Sequence, residues 1–360
     1  MKTQVDYDLH GLTRIRLVDA TPEDMAVVTR QVGPFQAPLE REPDIVVRFV
    51  DQLATSSRIR YLGLDAGFTR DAFLVLRSKH KSHARVQIPF ERIGKGCEIV
   101  CERGLLQVPL LIPIINLTIL SKGSLPLHAS AFTYRGTGFL ATGWSKGGKT
   151  ETLLGFMNAG ASYVGDEWVY LSGDGSRMCG IPELIRVWNW HLDSLPRYRK
   201  VFRATQRGKL RLLECARAGM KLLRANRMQT LVGKQLCVDV SPYELFGEEK
   251  CTLTGVPQKL LFVASHEAPE VTVRPLEAQE VARRMVFSLQ EEQLNLNSFY
   301  NKFRFAFPEA VNPLVENSLE LQTEILSRAL EGKEAYEILH PYPVAIPSLY
   351  EAIRDRCVEK

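Results

Sequence analysis

The sequence predicts an α/β protein in which a mixed sheet carries a phosphate-binding loop, with a β-rich N-terminal region and helical C-terminal additions. Three observations lead to this fold class. The first 104 residues are mainly short runs of β-branched and aromatic residues. An apolar run, 139–142, leads directly into the glycine-rich sequence GWSKGGKT at 143–150, after which a helical pattern begins. Beyond residue 305 the pattern is again helical and is interrupted by prolines.

The N-terminal region owes its predicted β character to five short runs that are separated by turn residues. These runs are 14–17, 45–50, 72–76, 84–90 and 97–101. Turn chemistry lies between them, for example at Asp65-Ala66-Gly67. We therefore assign 1–104 to a β-rich region, 105–305 to a nucleotide-binding domain and 306–360 to a helical C-terminal extension.

Strands and helices alternate in the predicted nucleotide-binding domain. In chain order we expect a buried helix over 105–120, strands at 125–134 and 139–142, a helix from 149 to 160, a strand at 162–164, a hairpin of 168–171 with 177–181, a basic helix over 206–228, a buried strand at 259–264 and an amphipathic helix from 278 to 289. This alternation is typical of an α/β domain.

Composition and apolar run lengths exclude several classes of protein. Hydrophobic residues make up 45% and charged residues 24%, which is ordinary globular composition. The longest apolar run, 105–120, contains Pro109 and Pro113 and is shorter than the roughly 18–20 residues that a membrane span needs. The N-terminus has no apolar signal region, so we expect a cytoplasmic protein without a membrane span.

The seven cysteines form no C-x-x-C pair. Cys97 and Cys101 are four apart in an expected strand, which fits neither a zinc knuckle nor a redox motif. We expect all seven to be buried, reduced thiols without a catalytic role.

Positive charge is concentrated between Arg197 and Lys234, where twelve Lys or Arg residues accompany one acid, Glu214. This segment is either a solvated helix face, a lid over the nucleotide, or a surface for phosphates, an acidic partner or nucleic acid. Tyr198 and Phe202 are its only aromatic residues, so we do not expect a single-strand nucleic-acid platform.

The sequence Gly143 to Thr150 matches the phosphate-binding pattern G-x-x-x-x-G-K-[ST]. In this pattern glycines let backbone N–H groups surround the phosphates, while the helix N-terminus adds its partial positive charge. Lys149 is expected to neutralise the β- and γ-phosphates, and the Thr150 hydroxyl to coordinate Mg²⁺. The expected nucleotide-binding residues are Gly143, Ser145, Lys146, Gly147, Gly148, Lys149, Thr150 and Glu151.

Two adjacent acids, Asp166 and Glu167, end the strand that follows the loop and its helix. Strand ends of this kind lie beside a phosphate loop in an α/β sheet. One carboxylate could hold Mg²⁺ while the other accepts a proton from an attacking hydroxyl. A solvated strand end is the alternative interpretation.

The spacing of these features resembles bacterial HPr kinase/phosphorylase. The matching features are His128, the loop fifteen residues later, Lys149-Thr150-Glu151-Thr152, Gly160 and the acid pair, over about residues 123–185. The family has a fold like the nucleotide domain of phosphoenolpyruvate carboxykinase, uses ATP and phosphorylates a protein serine. The resemblance implies Asp166 as the base, Lys149 as the phosphate clamp, Thr150, Asp166 and Glu167 as magnesium ligands and His128 as a residue of the site.

Three positions depart from the family pattern. Trp144 and Lys146 replace an acidic residue and a glycine of the loop, and Glu167 replaces an aspartate. The first hundred residues have no evident counterpart, so the resemblance does not identify HPr as the substrate. His128 alone would be interpreted as a core histidine.

We expect an ATP- and Mg²⁺-dependent kinase that phosphorylates a hydroxyl of a protein, a peptide or a small molecule. The family's oligomeric state implies a homo-oligomer. The alternative is a non-catalytic module that senses ATP and presents its basic surface to a partner. An ATPase of a larger assembly ranks third, because the sequence has no recognisable arginine finger.

Overall fold

The computed structural model describes residues 3–76, 85–222, 232 and 235–358. Within them the chain is a mixed α/β protein, as the sequence predicts. It forms two compact units, each assembled from separate stretches of chain. The first comprises 1–128, 168–181 and 279–332; the second comprises 129–167, 182–278 and 333–360.

The strands, in chain order, are β1 (Thr3–Leu9), β2 (Thr13–Ala20), β3 (Ile45–Val50), β4 (Arg60–Leu62), β5 (Ala66–Phe68), β6 (Phe73–Leu76), β7 (Arg85–Gln87), β8 (Cys97–Glu102), β9 (Leu125–His128), β10 (Ser130–Tyr134), β11 (Thr137–Thr142), β12 (Ser162–Gly165), β13 (Trp168–Leu171), β14 (Met178–Gly180), β15 (Ile185–Trp188), β16 (Cys237–Val240), β17 (Thr254–Gly255), β18 (Lys259–His266), β19 (Thr272–Leu276) and β20 (Glu334–Pro341).

The α-helices are α1 (Pro22–Val32), α2 (Leu111–Ser121), α3 (Lys149–Asn158), α4 (Asn189–Ser194), α5 (Ala204–Leu222), α6 (Pro242–Phe246), α7 (Ala278–Ala306), α8 (Pro313–Glu316), α9 (Ser318–Leu330) and α10 (Ile346–Cys357).

The first unit contains an eight-stranded mixed sheet in the order β1-β2-β3-β8-β7-β6-β5-β4. Strands β2, β3 and β8 are parallel, and the other neighbours are antiparallel. A separate antiparallel group pairs β13 with both β9 and β14. The predicted β-rich N-terminal region is therefore confirmed.

Helix α1 is an element that the sequence prediction missed. Its start carries recognisable signals, because the Thr21 hydroxyl accepts from the Asp24 amide, the Asp24 carboxylate accepts from the Thr21 amide, and Pro22 occupies the first turn. Helix α2 begins at Leu111 instead of 105, so that Pro113 falls within its first turn, where a missing N–H costs little.

The second unit is built on a six-stranded sheet in the order β12-β10-β11-β18-β20-β19. Its centre is parallel, since β18 pairs with both β11 and β20 in the same direction. Leu140, Leu261 and Ile338 from these three strands are completely buried. Such a buried parallel core fixes the strand ends from which the loops of an α/β domain arise.

Strand β20 corrects the prediction that residues 306–360 are helical. The sequence EAYEILHP contains Glu, Ala and Leu, which favour helices, but it pairs with β18 along eight residues and with β19 on its other side. Tertiary pairing overrides the local preference here. The predicted basic helix 206–228 corresponds to α5, and its residues 223–228 lie outside the described residues.

All seven cysteines are thiols that are not joined in disulfides. Four are buried, but Cys237 and Cys251 are half-buried and Cys215 is exposed on α5, so the expectation that all are buried is wrong for these three. No helix in the described part of the chain is long and apolar enough to cross a membrane.

Candidate functional site

The glycine-rich loop connects the end of β11 to the start of α3 in the second unit. Its path needs backbone angles that favour glycine, with φ of 143° at Gly143 and 105° at Gly148, and Lys146 also has a positive φ of 63°. A Cβ on Gly143 would come within 2.2 Å of the carbonyl oxygen of Val263 in β18. The loop therefore lies directly against the neighbouring parallel strand.

A buried histidine from β20 supports the loop from below. The Nε2 of His340 lies 2.9 Å from the Gly147 carbonyl oxygen, and its Nδ1 lies 2.8 Å from the Pro341 carbonyl oxygen. A Cβ on Gly148 would approach this ring to 2.1 Å. His340 thus holds one loop carbonyl in place and leaves room only for glycine beside it. Sequence reasoning missed His340 because the segment containing it was expected to be helical.

Lys149, the expected phosphate clamp, begins α3 and is buried. Its Nζ donates to the carbonyl oxygens of Gly143 at 3.2 Å and of Trp144 at 3.0 Å. These bonds hold the lysine side chain against the loop that is predicted to bind phosphate. Ser145 and Lys146 are exposed at the loop's tip, as is Trp144 with 53% of its surface accessible.

Asp166 follows β12 and is brought to the loop across one intervening strand, β10. Its carboxylate accepts hydrogen bonds from the Ser130 hydroxyl and from the Thr150 hydroxyl, the latter at 3.1 Å. Ser130, at the start of β10, was not singled out from the sequence. The predicted proximity of an acid to the loop threonine is therefore present in the structure.

Burial raises the pKa of Asp166 to about 7, and the negative charge of Glu167 adds to this effect. Hydrogen bonds from Ser130 and Thr150 and the charge of Lys149 act in the opposite direction, but they do not cancel it. A carboxylate with a pKa near neutrality can both accept a proton and release it.

Glu167 is exposed and has a left-handed backbone, with φ of 69°. Its carbonyl oxygen accepts a hydrogen bond from the Ala129 amide, which anchors the turn to the start of β10. Because of this sharp turn the side chains of the two consecutive acids have different surroundings. Asp166 is buried, whereas Glu167 is exposed to solvent.

Glu151 lies one residue after Thr150 and is hydrogen-bonded to a histidine of α4. The Nδ1 of His191 accepts from the Trp188 amide, so its Nε2 carries the proton and donates to Glu151 at 3.1 Å. Burial alone would raise the pKa of Glu151, but the hydrogen bond from His191 is the main cause that lowers it. Glu151 is therefore ionised, and its carboxylate accepts a hydrogen bond from His191.

His128, the remaining predicted site residue, belongs to the first unit. It ends β9 and is buried, with its Nδ1 2.6 Å from Oε1 of Glu292 in α7. Its ring also faces Trp168 at a centroid distance of 6.0 Å. These contacts make His128 a paired histidine of its own unit, and its predicted role in the nucleotide site stays a prediction.

The magnesium prediction can be compared with the donors present. The described residues contain no group of three or more His, Cys, Asp or Glu side chains that could hold a metal ion. Magnesium at nucleotide sites, however, takes one or two protein oxygens and completes its shell with phosphates and water. The paired oxygens of Thr150 and Asp166 fit that requirement.

No protein-family model and no curated protein matches this chain.

Proposed function

We propose that the second unit binds the magnesium complex of ATP at residues 143–150 and transfers its γ-phosphoryl group to a hydroxyl of an acceptor. One observation carries this proposal: a buried carboxylate, Asp166, with a pKa of about 7, accepts a hydrogen bond from the loop threonine Thr150. Plain nucleotide binding does not require a proton acceptor at this position, whereas transfer to a hydroxyl does.

The proposed step assigns one role to each group. The acceptor oxygen attacks the γ-phosphorus while its proton passes to the Asp166 carboxylate, and the bond from phosphorus to the bridging oxygen of ADP breaks. Lys149 would release the loop carbonyls and neutralise the transferring phosphoryl group. Magnesium, when bound, would neutralise phosphate charge, with Thr150 and Asp166 as its protein ligands and Glu167 as a further candidate.

The loop backbone supports phosphate binding independently of these side chains. The first-turn N–H groups of any helix lack intrahelical acceptors, and here the N-cap residue is a glycine without a side-chain cap. We also propose that the six-stranded sheet corresponds to the HPr kinase and phosphoenolpyruvate carboxykinase type of nucleotide fold. The parallel order β11-β18-β20 next to the loop supports this assignment.

The test combines calorimetry with phosphate transfer. ATP·Mg²⁺ would be titrated into the wild type, Lys149→Ala and a control, Lys250→Ala, whose lysine lies outside the loop. Transfer from γ-labelled ATP would then be followed in a cell extract, with Asp166→Asn beside the exposed control Asp193→Asn. We expect Lys149→Ala to lose binding and Asp166→Asn to bind ATP without labelling an acceptor. Labelling that survives Asp166→Asn would rule out the assigned base.

The alternative is an ATP-sensing module without turnover. The bonds of Lys149 to two loop carbonyls favour it to some extent, because these bonds must break before the lysine can serve phosphate. Tight ATP binding with neither hydrolysis nor transfer would establish this alternative in place of the kinase.

A further inference from the structure

Helix α5 is unusual among the helices because it buries almost none of its side chains. Among its described side chains, Ala204 to Ala218, only Leu210 is buried, and Leu212 is 72% exposed. A helix normally gains its stability in water from packing an apolar face. The surface of α5 is therefore available to a partner.

Three arginines form one row on this surface. Arg203, which directly precedes α5, is followed by Arg207 and Arg211 at steps of four residues, and all three side chains are exposed. Helix geometry separates consecutive members by about 6 Å along the axis. Carboxylates on alternate residues of an extended peptide are about 6.6 Å apart, which matches this row.

The chain does little to neutralise these charges itself. In the described part of the chain no ion pair joins any of the three arginines to an acid. The only acid of α5, Glu214, instead accepts a hydrogen bond from Asn189 at 3.0 Å. Among the described residues the row is therefore a positively charged surface whose arginines form no ion pair with an acid.

A groove lies at the base of the row, with a volume of about 310 Å³. Its lining includes Val201, Phe202 and Val240, together with Arg203, Gln206 and Glu244. The groove can hold an apolar side chain beside the positive row. An acidic segment with one apolar anchor residue has both matching properties.

Nucleic acid fits this surface less well than an acidic polypeptide. The two aromatic residues of the basic segment, Tyr198 and Phe202, are 5% and 2% exposed, so neither offers a face on which a base can stack. The groove would also leave its apolar lining unused against a phosphate backbone.

Two hydrogen bonds connect this surface to the nucleotide site through the short helix α4. Glu214 of α5 bonds Asn189 of α4, and His191 of α4 bonds Glu151, the neighbour of the loop residue Thr150. A segment docked on α5 is thus next to an element that touches the start of α3.

We propose that Arg203, Arg207 and Arg211, with the adjoining groove, form the docking surface for an acidic polypeptide segment of the phosphoryl acceptor. The identification of the partner as the phosphoryl acceptor rests on the proposed kinase function, whereas the docking itself requires no phosphoryl transfer.

The test measures docking without nucleotide. The probe is a fluorescein-labelled peptide in which Glu alternates with Leu and Ser, and its binding is followed by fluorescence anisotropy. It is titrated with the wild type and with a triple variant, Arg203→Ala, Arg207→Ala, Arg211→Ala. A charge-matched control replaces three other exposed arginines, Arg58→Ala, Arg70→Ala, Arg356→Ala. We expect the first variant to weaken binding about tenfold, as three partly screened charges would, and the control to change it by less than about twofold.

Two comparisons can overturn the inference. Equal binding of the same peptide with Gln in place of Glu, or equal losses in the two triple variants, would exclude the arginine row as an acidic-peptide surface. Tighter binding of a charge-matched single-stranded oligonucleotide or of phosphatidylserine vesicles would assign the row to those ligands instead. Peptide docking in a protein that fails to bind ATP would leave docking standing and reject the kinase proposal, so the two failures are distinguishable.

Discussion

Replacing Asp166 with asparagine should stabilise the nucleotide-free protein while abolishing its proposed activity. The carboxylate is buried next to a second acid, so its charged form is costly in the folded state. Asparagine can still accept the hydrogen bonds of Ser130 and Thr150 through its amide oxygen, and it carries no charge.

The size of the effect follows from the pKa. The folded-state pKa of about 7 lies above the ordinary value of 3.8, so the folded state binds more protons than the unfolded state between these pH values, and stability falls as pH rises through that window. The difference of about three pKa units corresponds to an upper bound of about 4 kcal/mol above pH 7. For a chain of this length that is about 5 °C in melting temperature.

Thermal unfolding of the wild type, Asp166→Asn and the exposed control Asp193→Asn would be followed by circular dichroism from pH 5 to pH 8, without nucleotide and with a chelator. The advantage of Asp166→Asn over the wild type should grow from pH 5 to pH 8, while the control stays near the wild type. An asparagine variant that is less stable than the wild type at pH 8, or an advantage that does not grow with pH, would refute the reasoning.

Three further predictions concern other described contacts. Gly148→Ala should abolish ATP binding in calorimetry, because its Cβ would meet His340 and the backbone φ is unfavourable for alanine; unchanged affinity would contradict the loop geometry. His340→Phe should weaken ATP binding while His340→Gln, which retains a donor toward the Gly147 carbonyl, recovers part of it; equal losses would mean that the ring only fills space. Burial lowers the pKa of His10, which lies 2.8 Å from the Gly180 carbonyl, so the stability of the wild type relative to His10→Asn should fall as pH falls below 6.5; parallel pH profiles of the two proteins would contradict this.

The glycine-rich loop and the acid beside it were predictable because their signals are local. Thr150 is fixed by the loop pattern, and Asp166 by its place after the next strand, even though β10 lies between the two strands in the sheet. The strands of the N-terminal region were found for the same reason, since β-branched runs and turn residues are close together in sequence. Their order in the sheet could not be read in this way.

The parts that sequence reasoning missed depend on contacts between distant residues. His340 is 193 residues away from the loop carbonyl that it contacts, and no spacing rule connects them. Ser130 contacts Asp166 because β10 lies between β11, which precedes the loop, and β12. The sequence does not show this strand order. The pairing of His191 with Glu151 spans 40 residues, and no local pattern indicates it.

The free energy that is needed to bury the charged carboxylate of Asp166 indicates what its role is. Ser130 and Thr150 need only an acceptor, and a neutral amide would provide one without a buried charge. A carboxylate is advantageous at this position only if a step needs its charge or its affinity for a proton or a cation. Magnesium would oppose the effect of Glu167 and lower the pKa of Asp166, so binding of ATP·Mg²⁺ near neutral pH should release a proton. A buried carboxylate whose charged form is unfavourable in the free protein and is stabilised by a bound cation is consistent with phosphoryl transfer. A purely structural hydrogen bond would not require such a group.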